Sequence, residues 1–281
     1  MKDARLVRKT ESTSHSIVSL SNSVAIGGDA IVIIGGPCAV ESLEQMETIA
    51  RELKSAPIQA LRGGVYKPRT SPYSFQGSGL AGLEILATVR QRYDLPVVTE
   101  VMAISQIEEI AQYADMLQVG SRNMQNFDLL KALGQTDKPI LLKRGLAATI
   151  EEFVMAAEYI MSHGNPNVVL CERGIRSFDN YTRNVLDLGA VAALKQITHL
   201  PVIVDPSHAA GRRELIADLS RAAIACGADG LIIECHPEPD QSVSDAQQAL
   251  SIESMMQLVQ SVQPVAKAVG RTVYEGCFAI A

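Results

Sequence analysis

Eight short, almost wholly apolar segments recur along the chain: Ile31–Gly36, Gln59–Gly64, Pro96–Val101, Met116–Ser121, Pro139–Gly145, Val168–Gly174, Pro201–Ser207 and Gly230–His236. A strand that is apolar on both faces must be covered on both, which is what crossover helices do for a parallel sheet. Between them, Ser42–Lys54, Ser78–Tyr93, Thr149–His163 and Arg212–Cys226 are amphipathic at helical period, and Thr149-Ile-Glu-Glu152 spells a capping box. Eight β-then-α units in about 250 residues suit a (β/α)8 TIM barrel, whereas a doubly wound sheet uses fewer strands at this length. We therefore expect an α/β chain with one catalytic barrel over 30–268. An N-terminal arm or hairpin over 1–29, where only Ser16–Val24 alternates weakly, precedes it, and a C-terminal tail over 269–281 follows.

Composition narrows the setting. The 281 residues are enough for one large core. With 25 Lys and Arg against 31 Asp and Glu the net charge is −6, so no global basic field favours nucleic acid. Apolar runs such as Ile31–Ile34 and Pro139–Leu142 are far too short to cross a bilayer, and the polar start Met1-Lys2-Asp3-Ala4-Arg5 is unlike a signal peptide. Cys38, Cys171, Cys226, Cys235 and Cys277 are odd in number and form no Cys-x-x-Cys pair, which predicts reduced thiols and a cytoplasmic location.

In a barrel of this kind chemistry sits where the strands end. Those ends carry Arg62, Lys67, Arg69, Arg122, Lys143, Arg144 and Arg173. So many cations converging on one mouth repel each other unless anions occupy it, and guanidinium and ammonium groups suit phosphate and carboxylate. The plainer reading pairs each with Glu41, Glu100, Glu172 or Glu234 as a structural salt bridge. Cys38, His208, Glu234 and Asp245 gather at the same ends. One sulfur, one nitrogen and two carboxylates suit Mn²⁺, Fe²⁺, Co²⁺ or Zn²⁺, with His236 as an alternative ligand. Gly77-Ser-Gly79-Leu-Ala-Gly82 spells G-x-G-x-x-G, but a dinucleotide fingerprint needs its glycines directly after the strand, and here a loop intervenes.

The segments Gly35-Gly-Pro-Cys-Ala-Val-Glu-Ser42, Arg62-Gly-Gly-Val-Tyr-Lys-Pro-Arg-Thr-Ser71 and Gln118-Val-Gly-Ser-Arg-Asn-Met-Gln-Asn126 resemble the hallmarks of 3-deoxy-D-arabino-heptulosonate 7-phosphate (DAHP) synthases. So do Leu141-Leu-Lys-Arg-Gly145, Cys171-Glu-Arg-Gly-Ile-Arg176, Asp205-Pro-Ser-His208 and Ile233-Glu-Cys-His-Pro-Glu-Pro239 with Ser244-Asp245. The likeness is to the type I, short-chain subgroup without a regulatory domain, and it covers roughly 30–268. It implies a transferase that condenses phosphoenolpyruvate with erythrose 4-phosphate and water, the first step of the shikimate route to aromatic amino acids. The sister synthase makes 3-deoxy-manno-octulosonate 8-phosphate from arabinose 5-phosphate. It typically has Lys-Ala-Asn-Arg-Ser where this chain has Lys67-Pro-Arg-Thr-Ser71.

By that resemblance Arg62, Arg122, Lys143 and Arg173 hold phosphoenolpyruvate, and Lys67, Pro68, Arg69, Thr70 and Ser71 hold the aldose phosphate. Cys38, His208, Glu234 and Asp245 bind one divalent metal ion. Lys67, Cys38 and His208 are the catalytic candidates, Lys67 as proton donor and Glu100 as a helper of the attacking water. We expect small-molecule partners, no nucleic acid or membrane, and a homo-oligomer, dimer or tetramer. A Cys38 thiolate at an open mouth is further expected to oxidise readily, more so without metal. Two readings compete: a metal-free Schiff-base aldolase using Lys143 or Lys67, and an inactive anion-binding paralogue.

Overall fold

Eight parallel strands close into a barrel in a computed structural model that describes residues 3–21, 23–69 and 71–273. They are β1 (Ala30–Gly36), β2 (Ala60–Arg62), β3 (Val97–Val101), β4 (Met116–Val119), β5 (Ile140–Lys143), β6 (Val168–Glu172), β7 (Val202–Val204) and β8 (Gly230–Glu234). Neighbours pair in chain order, and β8 returns to β1 with Gly230 opposite Val32 and Glu234 opposite Gly36. Thr272–Val273 adds a short parallel pairing at the start of β1. Every expected strand is present, but most are trimmed at their carboxyl ends. After Val204, for example, Asp205 leaves the ladder to cap the short helix Pro206–Ala210.

Alternation along the strands builds two cores. Val32, Ile34, Ala60, Val98, Met116, Leu141, Val169, Cys171, Ile203 and Ile232 fill the barrel interior. Their neighbours Ile31, Ile33, Leu61, Val97, Leu117, Leu142 and Leu170 point outward into the layer of helices. That layer includes α1 (Leu43–Lys54), α2 (Gly79–Tyr93), α3 (Ile107–Tyr113), α4 (Phe127–Leu133), α5 (Ile150–Ser162) and α6 (Leu188–Ile197). After the short α7 (Pro206–Ala210) come α8 (Arg213–Ala225) and α9 (Ile252–Ala268). The capping box forms as spelled: Thr149 Oγ1 accepts from Glu152 N at 3.2 Å, and Glu152 Oε2 accepts from Thr149 N at 2.8 Å.

The first residues of the chain seal the end away from the mouth. Val18–Ser19 pairs antiparallel with Ala25–Ile26, and Val18, Leu20, Val24 and Ile26 join the interior cluster. Upstream, Glu158 on α5 accepts hydrogen bonds from the backbone amides of Arg5, Leu6 and Val7. Among the described residues no helix is long and apolar enough to cross a membrane. Thr70 and the tail from 274 on, with Cys277, lie outside the described residues.

Candidate active site

The end of β8 and the loops after β1, β7 and β8 bring Cys38, His208, Glu234 and Asp245 together, with one ligand atom of each within 4.8 Å of the others. Gly36 lets β1 turn sharply toward Cys38: its φ is +148°, and an added Cβ would stand 2.1 Å from the Arg62 carbonyl oxygen. Asp245 itself has left-handed backbone, φ +55°, a conformation that Asp tolerates better than most residues. Cys38 Sγ lies 3.3 Å from Asp245 Oδ2, and His208 Nε2 lies 3.2 Å from Glu234 Oε1 and 3.9 Å from Asp245 Oδ2. Donors about 2.0–2.3 Å from a tetrahedral ion stand about 3.3–3.8 Å apart, so the set fits a borderline divalent metal. Gln248 Nε2 donates to Glu234 Oε2 at 2.5 Å, while buried Oε1 has no hydrogen-bond partner among the described residues. His236 stands outside this group, 3.4 Å from Glu41 Oε1.

Beside this set opens a cavity of about 470 Å³ lined by eight cations: Arg62, Lys67, Arg69, Arg122, Lys143, Arg173, Arg176 and Arg183. Pro68, Ser71, Glu100, His208 and Asp245 line it too. Arg62 Nε and Nη1 and Arg173 Nη1 are buried without a hydrogen-bond partner among the described residues. Arg62 Nη1 does lie 3.0 Å from Glu234 Oε1, close enough for charge pairing but outside hydrogen-bond alignment. Buried guanidinium donors left open in this way suit an anionic ligand. A larger cleft of about 980 Å³ adjoins across Arg183 and Asp245. Its Arg212 and Arg213 are committed to Glu214 and Asp240, so it lacks the open donors of the mouth.

The alternation of strand ends sorts the expected cations. Lys143 turns into the mouth and meets Asp205 Oδ2 at 2.5 Å. The next residue, Arg144, turns outward and ties Glu172 and Asp187, each at 2.9 Å, so Arg144 is the one of the two that the structural salt bridge describes. Sequence reasoning gave no role to Arg176 and Arg183, which come from the long loop after β6, or to Gln248. Arg176 closes one of the family motifs; Arg183 carries no local signal.

Charge tuning follows burial and neighbours. Burial, seconded by Glu234, pushes the Cys38 thiol up to about 12 even though Lys67 pulls the other way. Burial also raises Asp245, but His208 and Arg183 outweigh it and hold the carboxyl at about 2. Burial draws the His208 imidazole below its ordinary value. Glu100, half-buried with its Oε1 enclosed, is raised by desolvation against the pull of Lys67 and Lys143. An added Cβ at Gly120 would stand 2.1 Å from Glu100 Oε1, so only glycine leaves that carboxyl its place. The Cys38 side chain is 1% exposed and burial pushes its thiol up to about 12, two features that bear against the expected ready oxidation of the metal-free protein.

Fold and site together define a (β/α)8 barrel enzyme whose mouth holds a cationic cavity beside four side chains that could bind a metal ion. The DAHP synthetase I family model matches residues 14–270, and the chain belongs to that family. It is 48% identical over 270 residues to phospho-2-dehydro-3-deoxyheptonate aldolase of Thermotoga maritima, covering 96% of this chain and 80% of that one. A crystal structure of that Thermotoga protein (DAHP synthase) superposes with TM-score 0.94 at 47% identity, covering 97% of this chain and 80% of the other. The 2-dehydro-3-deoxyphosphooctonate aldolase of Bradyrhizobium diazoefficiens is more distant, 36% identical over 255 residues, covering 84% of this chain and 90% of that one.

Proposed function

We propose that this mouth joins phosphoenolpyruvate to erythrose 4-phosphate and water, giving 3-deoxy-D-arabino-heptulosonate 7-phosphate and phosphate. The observation that carries the reading is the adjacency of a cavity lined by eight cations to four metal-competent side chains, two of which, His208 and Asp245, line that cavity too. Arg62, Arg122, Lys143 and Arg173 hold the phosphate and carboxylate of phosphoenolpyruvate. Lys67, Pro68, Arg69, Thr70 and Ser71 hold the aldose and its phosphate.

Cys38, His208, Glu234 and Asp245 hold one divalent ion, which when bound supplies a Lewis acid for the aldehyde oxygen. Lys67 Nζ, at the junction of the two halves, gives a proton to that oxygen as C3 of phosphoenolpyruvate bonds to the aldehyde carbon. Water then bonds to C2, and the resulting hemiketal phosphate releases phosphate. Glu100, made more basic by burial and oriented by Gln118 Nε2 at 3.1 Å, takes up the proton of that water. We read the working form as a cytoplasmic homo-oligomer.

An aldose panel tests the substrate. Pro68 fixes φ and removes an amide donor, so the loop after β2 is stiffer than an Ala-Asn version. With loss of phosphoenolpyruvate absorbance as readout, erythrose 4-phosphate should exceed arabinose 5-phosphate by at least about tenfold in kcat/KM, about 1.4 kcal/mol. Equal or better turnover of arabinose 5-phosphate would replace this reading with the sister activity.

A further inference from the structure

The metal set and the phosphate cradle share one buried carboxylate. Asp205 is fully buried at the end of β7 and accepts three hydrogen bonds. Its Oδ1 takes the backbone amide of His208 at 2.9 Å. Its Oδ2 takes both His208 Nδ1 at 2.7 Å and Lys143 Nζ at 2.5 Å. A single oxygen thus faces the ring nitrogen opposite the metal-directed Nε2 and the ammonium that reaches into the anion cavity.

We propose that Asp205 is a positioning residue through which the metal site and the phosphoenolpyruvate site strengthen one another. The inference rests on the reading of those two sites given above. All three partners of Asp205 are donors, so Nδ1 carries its proton and Nε2 keeps its lone pair for the ion. Oδ2 divides its charge between the imidazole and the ammonium. An anion that draws Lys143 toward itself leaves more of that charge to His208, which makes Nε2 a better ligand. An ion on Nε2 draws Asp205 toward the imidazole and releases Lys143 to the anion. Linkage requires the two effects to be equal in size. An amide in this place cannot accept three bonds: Asn offers one oxygen, and its nitrogen must face a donor whichever way it is turned.

The test is equilibrium dialysis of Mn²⁺ against the metal-stripped full chain, with and without phosphoenolpyruvate. For the unaltered protein we expect one Mn²⁺ per chain, bound at least about fivefold more tightly when phosphoenolpyruvate is present. In Asp205→Asn, Mn²⁺ should bind about 10–100-fold more weakly, and phosphoenolpyruvate should tighten it by less than about twofold. A variant that binds Mn²⁺ as tightly, with the phosphoenolpyruvate effect intact, overturns the inference while leaving the metal site standing. Failure of the unaltered chain to bind Mn²⁺ at all sinks the metal reading and the inference together. Far-ultraviolet circular dichroism checks that the variant folds. If it does not, nitrogen NMR of ¹⁵N-histidine in the unaltered, Zn²⁺-loaded protein decides. A proton on His208 Nδ1 supports the arrangement, and one on Nε2 overturns it.

Discussion

Lys67 Nζ donates to Cys38 twice, to its carbonyl oxygen at 2.8 Å and to its sulfur at 2.9 Å. The ammonium is thus already in place to stabilise a thiolate, yet burial still keeps the metal-free thiol protonated, at about 12. If Cys38 ligates the metal, uptake must therefore expel the proton from this pair. The sign is fixed: fewer protons are bound in the loaded state, so affinity rises with pH. Between about pH 6 and pH 8 the apparent Mn²⁺ affinity should rise close to tenfold per unit if one proton leaves. A pH-independent affinity would mean that Cys38 is not a ligand.

Chelation checks the same site from the other side. Stripping the divalent ion should abolish turnover and adding it back should restore it, with His208→Ala inactive under both conditions. Full turnover after rigorous stripping would return the Schiff-base mechanism to consideration.

Adjacent residues Lys143 and Arg144 should fail in different ways. Arg144→Met removes the one cation shared by buried Glu172 and its neighbour Asp187 and leaves Glu172 only the backbone amides of Gly174 and Asp187, a loss of about 3–5 kcal/mol that shows in the thermal melt. Lys143→Met leaves Asp205 its two bonds to His208 and should melt nearer the unaltered protein, while the KM for phosphoenolpyruvate rises at least about tenfold. The reverse ranking in melting would refute the assignment of faces.

Arg69 Nη1 donates to Ser244 Oγ at 2.5 Å, which ties the loop after β2 to the loop bearing Asp245. Arg69→Ala should raise the KM for erythrose 4-phosphate at least about tenfold and shift that for phosphoenolpyruvate far less. Equal shifts in both would mean that Arg69 shapes the whole mouth and does not select the aldose.

Much of this was legible in the chain because a closed barrel forces strands that are apolar on both faces, and such runs stand out. Three of the four candidate ligands were legible for a related reason, since Cys38, His208 and Glu234 sit within a few residues of a strand end, whereas Asp245 lies eleven residues past Glu234 in the loop after β8. Which of two adjacent end residues enters the mouth was not, because Lys143 and Arg144 differ only by strand parity, and trimming at the strand ends obscures the count. Arg183 and Gln248 escaped because they act from long loops whose paths depend on tertiary contacts, such as the 3.1 Å bond that joins them. Asp205 opens a family motif, yet its link to Lys143 left no mark in the sequence. Three residues ahead of a histidine, it looks like an ordinary helix cap, which it also is.

The antiparallel pair formed by Val18–Ser19 and Ala25–Ile26 has a practical consequence for anyone attaching cargo to this enzyme. Val18, Leu20, Val24 and Ile26 act as a cork in the barrel floor. A tag or partner domain joined ahead of this cork sits at the far pole from the chemistry, where it neither screens incoming sugar phosphates nor crowds the loops that carry Arg69 and Arg183. Cutting the chain inside the cork, by contrast, would open the hydrocarbon lining of the barrel to water from below.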